Sequence, residues 1–380
     1  MKAIGLICEY NPFHNGHLYH LNKAKEMFPH HAIIVVLGGN FLQRGEPSII
    51  DKWDKTKIAL EEGVDLVVEL PFAFATQSAD IFAKGAIQIL NHLHVDHIVF
   101  GSESNDVTKL IKMADTQINN PIYDKLVKQY LSEGINYPSA LAKALADLLD
   151  EKISTPNDIL GVAYIREIKK LNANIIPVTI QRTNDYHGQD LDQSITSATS
   201  IRKALVDNND ITNYVPEVTV PYLQGTLHFI EDYFSILKYQ IMININHLND
   251  YMTVDEGIEN RIAKYIISTT SVDELIHHIK TKRYTYNKIR RMLTHIMCNF
   301  TKEESLKYQN IEYIRVLGFS KLGQTYLNQI KKIIAVPLLT NYQKELDLEL
   351  RTTAVYASIL NEEDKVKLIE SEYKNKPIRK

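Results

Sequence analysis

Five short runs of continuously apolar, largely β-branched residues constrain most tightly how this chain can fold. They are "AIGLIC" (3–8), "AIIVVL" (32–37), "DLVVEL" (65–70), "HIVFG" (97–101) and "NIIPVTI" (174–180). A strand with one face in water alternates apolar and polar residues, whereas a parallel strand covered on both faces by helices reads apolar throughout. Between the runs lie stretches of helical period at Gly16–Met27, Asp51–Glu62, Ser78–His92 and Asn157–Leu171. In the third, Phe82, Ala86, Ile89 and Leu90, continued by Leu93, recur at spacings of three and four and make one buried stripe. Strands alternating with helices predict a doubly wound parallel sheet with right-handed crossovers, an α/β fold of Rossmann-like type.

Residues 105–150 carry only helical patterns, such as "PIYDKLVKQYLSEGI" and "YPSALAKALADLL", and are expected to form a helical insertion before the last strand. Beyond "SATSIRKAL" (197–205) the β-branched runs give way to long amphipathic segments, "IEYIRVLGFSKLGQTYLNQIKK" among them. The expected organisation is an α/β domain over residues 1–210 and a mostly α-helical C-terminal domain over 211–380. With 380 residues, two domains suit the length.

Composition narrows the function classes. Hydrophobic residues at 44% and charged residues at 23% suit a globular chain, and 43 basic against 46 acidic residues leave a net charge of -3. A nucleic-acid surface must therefore be a local concentration of charge. Two distant cysteines, Cys8 and Cys298, argue against a disulfide scaffold, and no apolar run approaches the length that spans a bilayer. No secretory leader is legible at the N-terminus, so a cytoplasmic location is expected.

Ligands of open parallel sheets sit beyond the carboxyl ends of the strands, often at the start of a following helix. "EYNPFHNGHLYH" (9–20) occupies that place after the first strand. Three residues apart, His14 and His17 lie on one side of a first helical turn, and Gly16 between them leaves the backbone open. Two imidazoles and free amides there would bind a polyphosphate and stabilise charge developing on a leaving pyrophosphate. A pair of structural histidines, or a metal cluster with His20, explains the same residues, although no carboxylate stands at a zinc-protease spacing.

"SATSIR" (197–202) opens another helix after the last strand. Thr199 and Ser200 are suited to cap it while Arg202 extends a fixed charge, a second anion grip; taken alone, it is equally a plain cap with a surface arginine. In the Gly-rich stretch "GGNFLQRGEP" (38–47) and the helix after it, Arg44, Lys52 and Lys55 are candidate phosphate or RNA contacts, or else solvated charges. The sharpest basic cluster is "KRYTYNKIRR" (282–291), with Lys282, Arg283, Lys288, Arg290 and Arg291, two tyrosines and no acid. Basic groups neutralise phosphates and tyrosines stack on unpaired bases, while a solvated helix face accounts for such a run equally well.

"HNGH" paired with "SATSIR" resembles the nucleotidylyltransferase superfamily of the HxGH type. More closely, "EYNPFHNGHLYH", "LGGNFLQRGEPSIIDKWDK", "DLVVELPF", "FGSES", "TPNDILGVAYI" and "RYTYNKIRRML" resemble the bacterial tRNA(Met) cytidine acetate ligase family over nearly the whole chain. The resemblance implies ATP and acetate as substrates, acetyl-adenylate as intermediate, and N4-acetylcytidine at the wobble position of elongator tRNA(Met) as product. It also implies nucleotide contacts from Ile7, Cys8, Glu9, Tyr10, Asn11, Pro12, Phe13, His14, Asn15, Gly16, His17, Leu18, Tyr19 and His20, and from Gly101, Asn157 and Arg182. Ser200 and Arg202 join them from the second signature.

Each isolated residue has its own physical reading. Gly101 ends a strand where a side chain would obstruct a nucleotide, or simply turns the chain. Asn157 follows Pro156 at a helix start, as a cap or a contact to ribose or base, and Arg182 beyond a strand end suits a phosphate or solvent. Mg2+ is expected to accompany the triphosphate, with no carboxylate pair that identifies its ligands. Neither a membrane nor DNA is an expected partner. An adenylyltransferase of a small phosphorylated cofactor precursor would share the first domain, and a non-catalytic tRNA-binding module would share the basic cluster.

Overall fold

A computed structural model describes residues 1–149, 155–182 and 196–380. The first part runs β1 (Ala3–Cys8), α1 (Asn15–Met27), β2 (Ala32–Gly38), α2 (Lys52–Glu61), β3 (Leu66–Leu70), the short α3 (Phe72–Ala75), α4 (Ala79–His92) and β4 (His97–Ser102). Helices α5 (Val107–Asn119), α6 (Pro121–Ser132) and α7 (Tyr137–Leu149) follow. Then come α8 (Pro156–Lys170), β5 (Ile176–Gln181) and α9 (Ala198–Val206). The remainder is α10 (Phe234–Ile243), α11 (Ile258–Tyr265), α12 (Val272–Ile279), α13 (Tyr286–Met297), α14 (Lys302–Ser305), β6 (Ile314–Phe319), α15 (Lys321–Ile330), β7 (Leu338–Leu339), α16 (Asp347–Ala357), α17 (Glu362–Lys374) and β8 (Ile378–Arg379).

The strands form one sheet in the order β5-β4-β1-β2-β3-β6-β7, with β8 beside β6. Strands β1 to β5 are parallel, in registers such as Ala3 opposite Ala32 and His97 opposite Ile176. In β2 and β3 the continuous apolar character follows from burial, since every residue of both is buried, whereas β5 at the sheet edge buries only Ile180 and does not have the two covered faces its apolar run suggests. The chain order reverses at β1, which sends α1 and the helices after β4 to different sides and opens a crevice at the carboxyl ends.

One segment departs from its expected structure. "IEYIRVLGF" belongs to no helix; it supplies β6, which pairs antiparallel with β3, Leu66 opposite Phe319. Arg315 interrupts its apolar run. Arg315 is 5% exposed and pairs with Glu69 of β3 and Glu372 of α17. Lys52 completes the group, 2.7 Å from Glu69 and 2.9 Å from Glu372. Thr353 Oγ1 donates to Glu372 at 2.8 Å and accepts from Asn40 Nδ2 at 2.9 Å, so these buried charges also hold the loop after β2.

That loop is gripped from the other side by α13. Gly45 has φ +71°, and a Cβ there would lie 2.2 Å from the Arg291 amide nitrogen. Thr294 Oγ1 donates to the Gly45 carbonyl at 3.0 Å, and Arg291 Nη1 to that of Gln43 at 3.4 Å. Gly45→Ala is therefore expected to lower stability by about 3 kcal/mol or more, combining left-handed strain with displacement of α13. The control is Gly134→Ala, where φ is +83° but no atom lies within 4 Å of the added methyl, so only the strain remains. Equal shifts in the denaturation midpoints of the two variants would refute the close-packed contact.

Candidate functional site

Beyond the carboxyl ends of β1, β4 and β5 lies a cleft of about 250 Å3. From the stretch after β1 it is lined by Glu9, Tyr10, Asn11, His14, Gly16, His17, Tyr19 and His20. Arg44 and Glu46 border it, as do Gly101, Asn157, Ile180, Gln181 and Arg182. Thr196, Ser197, Ala198, Thr199 and Arg202 close it from the α9 side. The two separated signatures thus meet in one space. Ile7, Cys8, Pro12, Phe13, Asn15 and Leu18 do not line it; Phe13 is fully buried in the core, and Asn15 Nδ2 donates to the Asn213 carbonyl at 2.9 Å.

The histidines are held by backbone, which sets their protons. His14 is the N-cap of α1, its Nδ1 accepting from the Gly16 amide at 3.0 Å. His17 Nδ1 accepts from the His14 amide at 3.3 Å, and the rings lie with centroids 3.8 Å apart. A neutral imidazole whose Nδ1 accepts carries its proton on Nε2, so both rings are N–H donors. Burial, helped by Arg182 and Arg202, pushes His14 down to about 3, and burial together with His14 pushes His17 well below the usual range. Both are therefore neutral at physiological pH in the ligand-free protein.

The same bonds correct the expectation of a free, amide-rich helix mouth. The Gly16 amide is taken by His14, the Asn15 amide by the Tyr214 carbonyl at 3.0 Å, and the His17 amide by the His14 carbonyl at 2.8 Å. What the site offers an anion is imidazole N–H and guanidinium, because the His14 ring, the His14 carbonyl and the Tyr214 carbonyl have taken the first-turn amides that would otherwise face it.

Arg182 approaches from the end of β5. Its stem lies over Gly101, where a Cβ would come within 3.2 Å of Arg182 Cγ, so the glycine makes room for the arginine as well as the cleft. Arg182 Nη1 donates to Asn157 Oδ1 at 3.4 Å, while Asn157 Nδ2 donates to Glu103 Oε1 at 2.6 Å. Asn157 is thus a relay that orients Arg182, and the N-cap of α8 is Thr155. Arg182 Nε is buried without a hydrogen-bond partner among the described residues, and a bound anion facing it would satisfy that donor.

In "SATSIR" the cap falls on Ser197, whose Oγ accepts from the Ser200 amide at 3.1 Å, and neither Thr199 nor Ser200 takes that role. Ser200 is buried, its hydroxyl 2.9 Å from that of Ser197, and does not line the cleft. The rise of a helix puts Arg202 on the cleft side instead. Its Nη1 donates to the Asn11 carbonyl at 2.9 Å and its Nη2 pairs with Glu46 at 2.9 Å.

Lys52 and Lys55, candidates for phosphate or RNA contact or else for solvent, are neither: both are buried. Lys52 belongs to the buried charge group, and Lys55 Nζ donates to the carbonyls of Glu9, Gly38 and Gly39 at 3.0, 2.7 and 2.9 Å. Burial pushes the Lys55 ammonium down to about 7. The basic cluster is divided. Lys282 and Arg283 are exposed, Lys288 lies over the Tyr284 ring at 3.8 Å, and Arg290 and Arg291 face the loop at 43–46.

Glu46 and Glu103, absent from the expected site, hold Arg202 and Arg182; no sequence signal finds them, since Glu46 is 156 residues from Arg202 and Glu103 is 79 from Arg182 in the chain. Among the described residues no group of three or more His, Cys, Asp or Glu side chains is placed to hold a metal. The cleft carboxylates are engaged, Glu9 by the Gln43 amide at 2.7 Å and Glu46 by arginines. They do not make a Mg2+ site of their own. No helix among the described residues is long and apolar enough to cross a membrane.

A parallel sheet with paired histidines and arginines at its carboxyl edge defines a nucleotide-binding enzyme of the nucleotidyl transferase class, and the family model described as HIGH Nucleotidyl Transferase matches residues 1–372. The chain is 41% identical to the tRNA(Met) cytidine acetate ligase of Geobacillus sp. (strain WCH70), with all of both chains covered. With that of Bacillus subtilis (strain 168) it shares 38% identity over 100% of this chain and 97% of the relative. The crystal structure of apo Thermotoga maritima TmcAL superposes with a TM-score of 0.92 at 32% identity, covering 100% of this chain and 99% of that one. The form of the Thermotoga protein bound with alpha-thio ATP gives 0.91. The chain belongs to the tRNA(Met) cytidine acetate ligase family.

Proposed function

We propose that the protein uses ATP to activate acetate and transfers the acetyl group to the wobble cytidine of elongator tRNA(Met), giving N4-acetylcytidine. The observation that carries this reading is the convergence of His14, His17, Arg182 and Arg202 on one cleft from three places in the chain. Acetate cannot acylate an amine directly, because oxide would have to leave. An acetate oxygen attacks the α-phosphorus, the bridging bond to the β-phosphate breaks, and pyrophosphate departs. Charge gathers on the departing oxygens, where neutral Nε2–H donors and fixed guanidiniums stabilise it without reorganising. The cytidine N4 then attacks the acetyl carbon, AMP leaves, and N4 gives up a proton.

His14 and His17 serve as hydrogen-bond donors to the polyphosphate, since their Nδ1 atoms are committed to the backbone. Mg2+ accompanying ATP would take its ligands largely from phosphate oxygens and water. Lys282, Arg283 and Lys288 are the members of the basic cluster left to meet RNA phosphates, with Arg290 and Arg291 acting behind them. A tRNA substrate implies a cytoplasmic location.

The test is direct. The pure protein is incubated with ATP, labelled acetate and total bacterial tRNA, and the RNA is digested to nucleosides. Label in a single modified cytidine is the expected result. ATP turnover that ignores acetate would instead favour an adenylyltransferase, and absence of turnover with RNA retained would favour a binding module.

A further inference from the structure

We propose that Glu46 is a positioning residue that couples helix α13 to the ATP site by holding Arg202 and Arg290 on the two oxygens of one carboxylate. The inference rests on the reading of the cleft as an ATP site. Glu46 Oε1 lies 2.9 Å from Arg202 Nη2, and Oε2 lies 3.0 Å from Arg290 Nη1. Asn11 closes the arrangement, its carbonyl accepting from Arg202 Nη1 at 2.9 Å and its Nδ2 donating to Glu46 Oε1 at 3.4 Å. A planar fork gripped at both Nη atoms cannot rotate, so Glu46 and Asn11 together set the plane in which Arg202 meets a polyphosphate.

A carboxylate on the wall of an anion site repels the ligand unless its charge is outweighed. Two guanidiniums on one carboxylate leave a net positive charge, so Arg290 shields the cleft from Glu46 although it belongs to a helix 244 residues further along. Docking of the loop does not require this pair, because Gly45, Gln43 and Thr294 already fasten the loop to α13. Arg290 also lies over the Tyr286 ring at 4.8 Å, and the Tyr286 hydroxyl donates to Asp273 at 2.6 Å. The route from cleft to basic cluster is therefore continuous: Arg202, Glu46, Arg290, Tyr286. RNA that draws on Arg290 alters the charge balance at Glu46 and so the grip of Arg202.

The experiment measures the dissociation constant for ATP by titration calorimetry on the full chain without tRNA. Arg290→Gln, far from the phosphate, is expected to weaken ATP binding about fivefold, and Glu46→Gln by about as much. The double variant is expected to be no weaker than the weaker single, the signature of one shared link. Arg290→Lys, which keeps a cation on Glu46, is expected to restore most of the affinity. A merely structural pair would change melting temperature and leave ATP affinity alone. An unchanged affinity in Arg290→Gln, or effects that multiply in the double variant, overturns the proposal. Failure of the ligase reading would show separately, as ATP bound normally with no acetylated cytidine formed.

Discussion

Replacing His14 with asparagine leaves the fold intact and lowers ATP- and acetate-dependent activity on the order of 10²- to 10³-fold, the effect of deleting one pre-aimed donor to developing charge. Asparagine is chosen because His14 does two jobs. As N-cap of α1 it accepts the Gly16 amide through Nδ1. Asparagine caps as well as any residue, so the helix start survives, while the Nε2–H donor disappears. His14→Ala loses both and should be about 1 kcal/mol less stable than His14→Asn. If His14→Asn retains parental kcat/KM, the ring is a cap and nothing more.

The same residue leaves a mark on acid stability. Its pKa falls from about 6.5 in the unfolded chain to about 3 in the ligand-free fold, chiefly through burial. The unfolded state therefore takes up a proton that the folded state refuses, and stability is lost as pH drops from about 6.5 towards 3. Melting curves across that window should fall more steeply for the parent than for His14→Asn. Parallel curves would mean that the ring titrates alike in both states.

The second large effect lies away from the cleft. Glu372→Ala is expected to destabilise the protein by about 3–5 kcal/mol, because Lys52 and Arg315 are then left buried with Glu69 alone. Burial by itself would push the Glu372 carboxyl up, but Lys52 and Arg315 outweigh it and hold the group below the ordinary range. Its contribution is thus present at neutral pH and lost on acidification. Since Lys52 opens α2 and Asn40 joins the group through Thr353, the loop at 38–47 should loosen as well. A denaturation midpoint within about 1 kcal/mol of the parent would show that the charges are solvated or independently paired.

Much of this architecture is legible in the chain itself. The runs of β1, β2 and β3 are apolar on both faces, and that pattern belongs to parallel strands between helix layers, while the similar run of β5 falls at the sheet edge and stays largely unburied. The helical insertion follows from its period, and the site from "HNGH" and "SATSIR", whose spacing survives translation into a helix start. What the chain conceals is any pairing between distant charges. Arg315 finds Glu69, 246 positions earlier, only once the chain has folded. Lys52 and Lys55 look like ligands for phosphate until burial closes over them. Serine 200 looks like a cap until the turn places Ser197 there.

Local periodicity and capping chemistry act over a few residues, so most strands and helices, and the two helix starts that line the cleft, are legible in the order of amino acids. Which acids neutralise which bases depends on contacts closed by folding, where low dielectric makes a paired charge favourable and an unpaired one prohibitive. Only the assembled sheet could therefore show that Glu46 and Glu103 aim the arginines, that Asn157 is a relay, and that histidines rather than amides present the hydrogens.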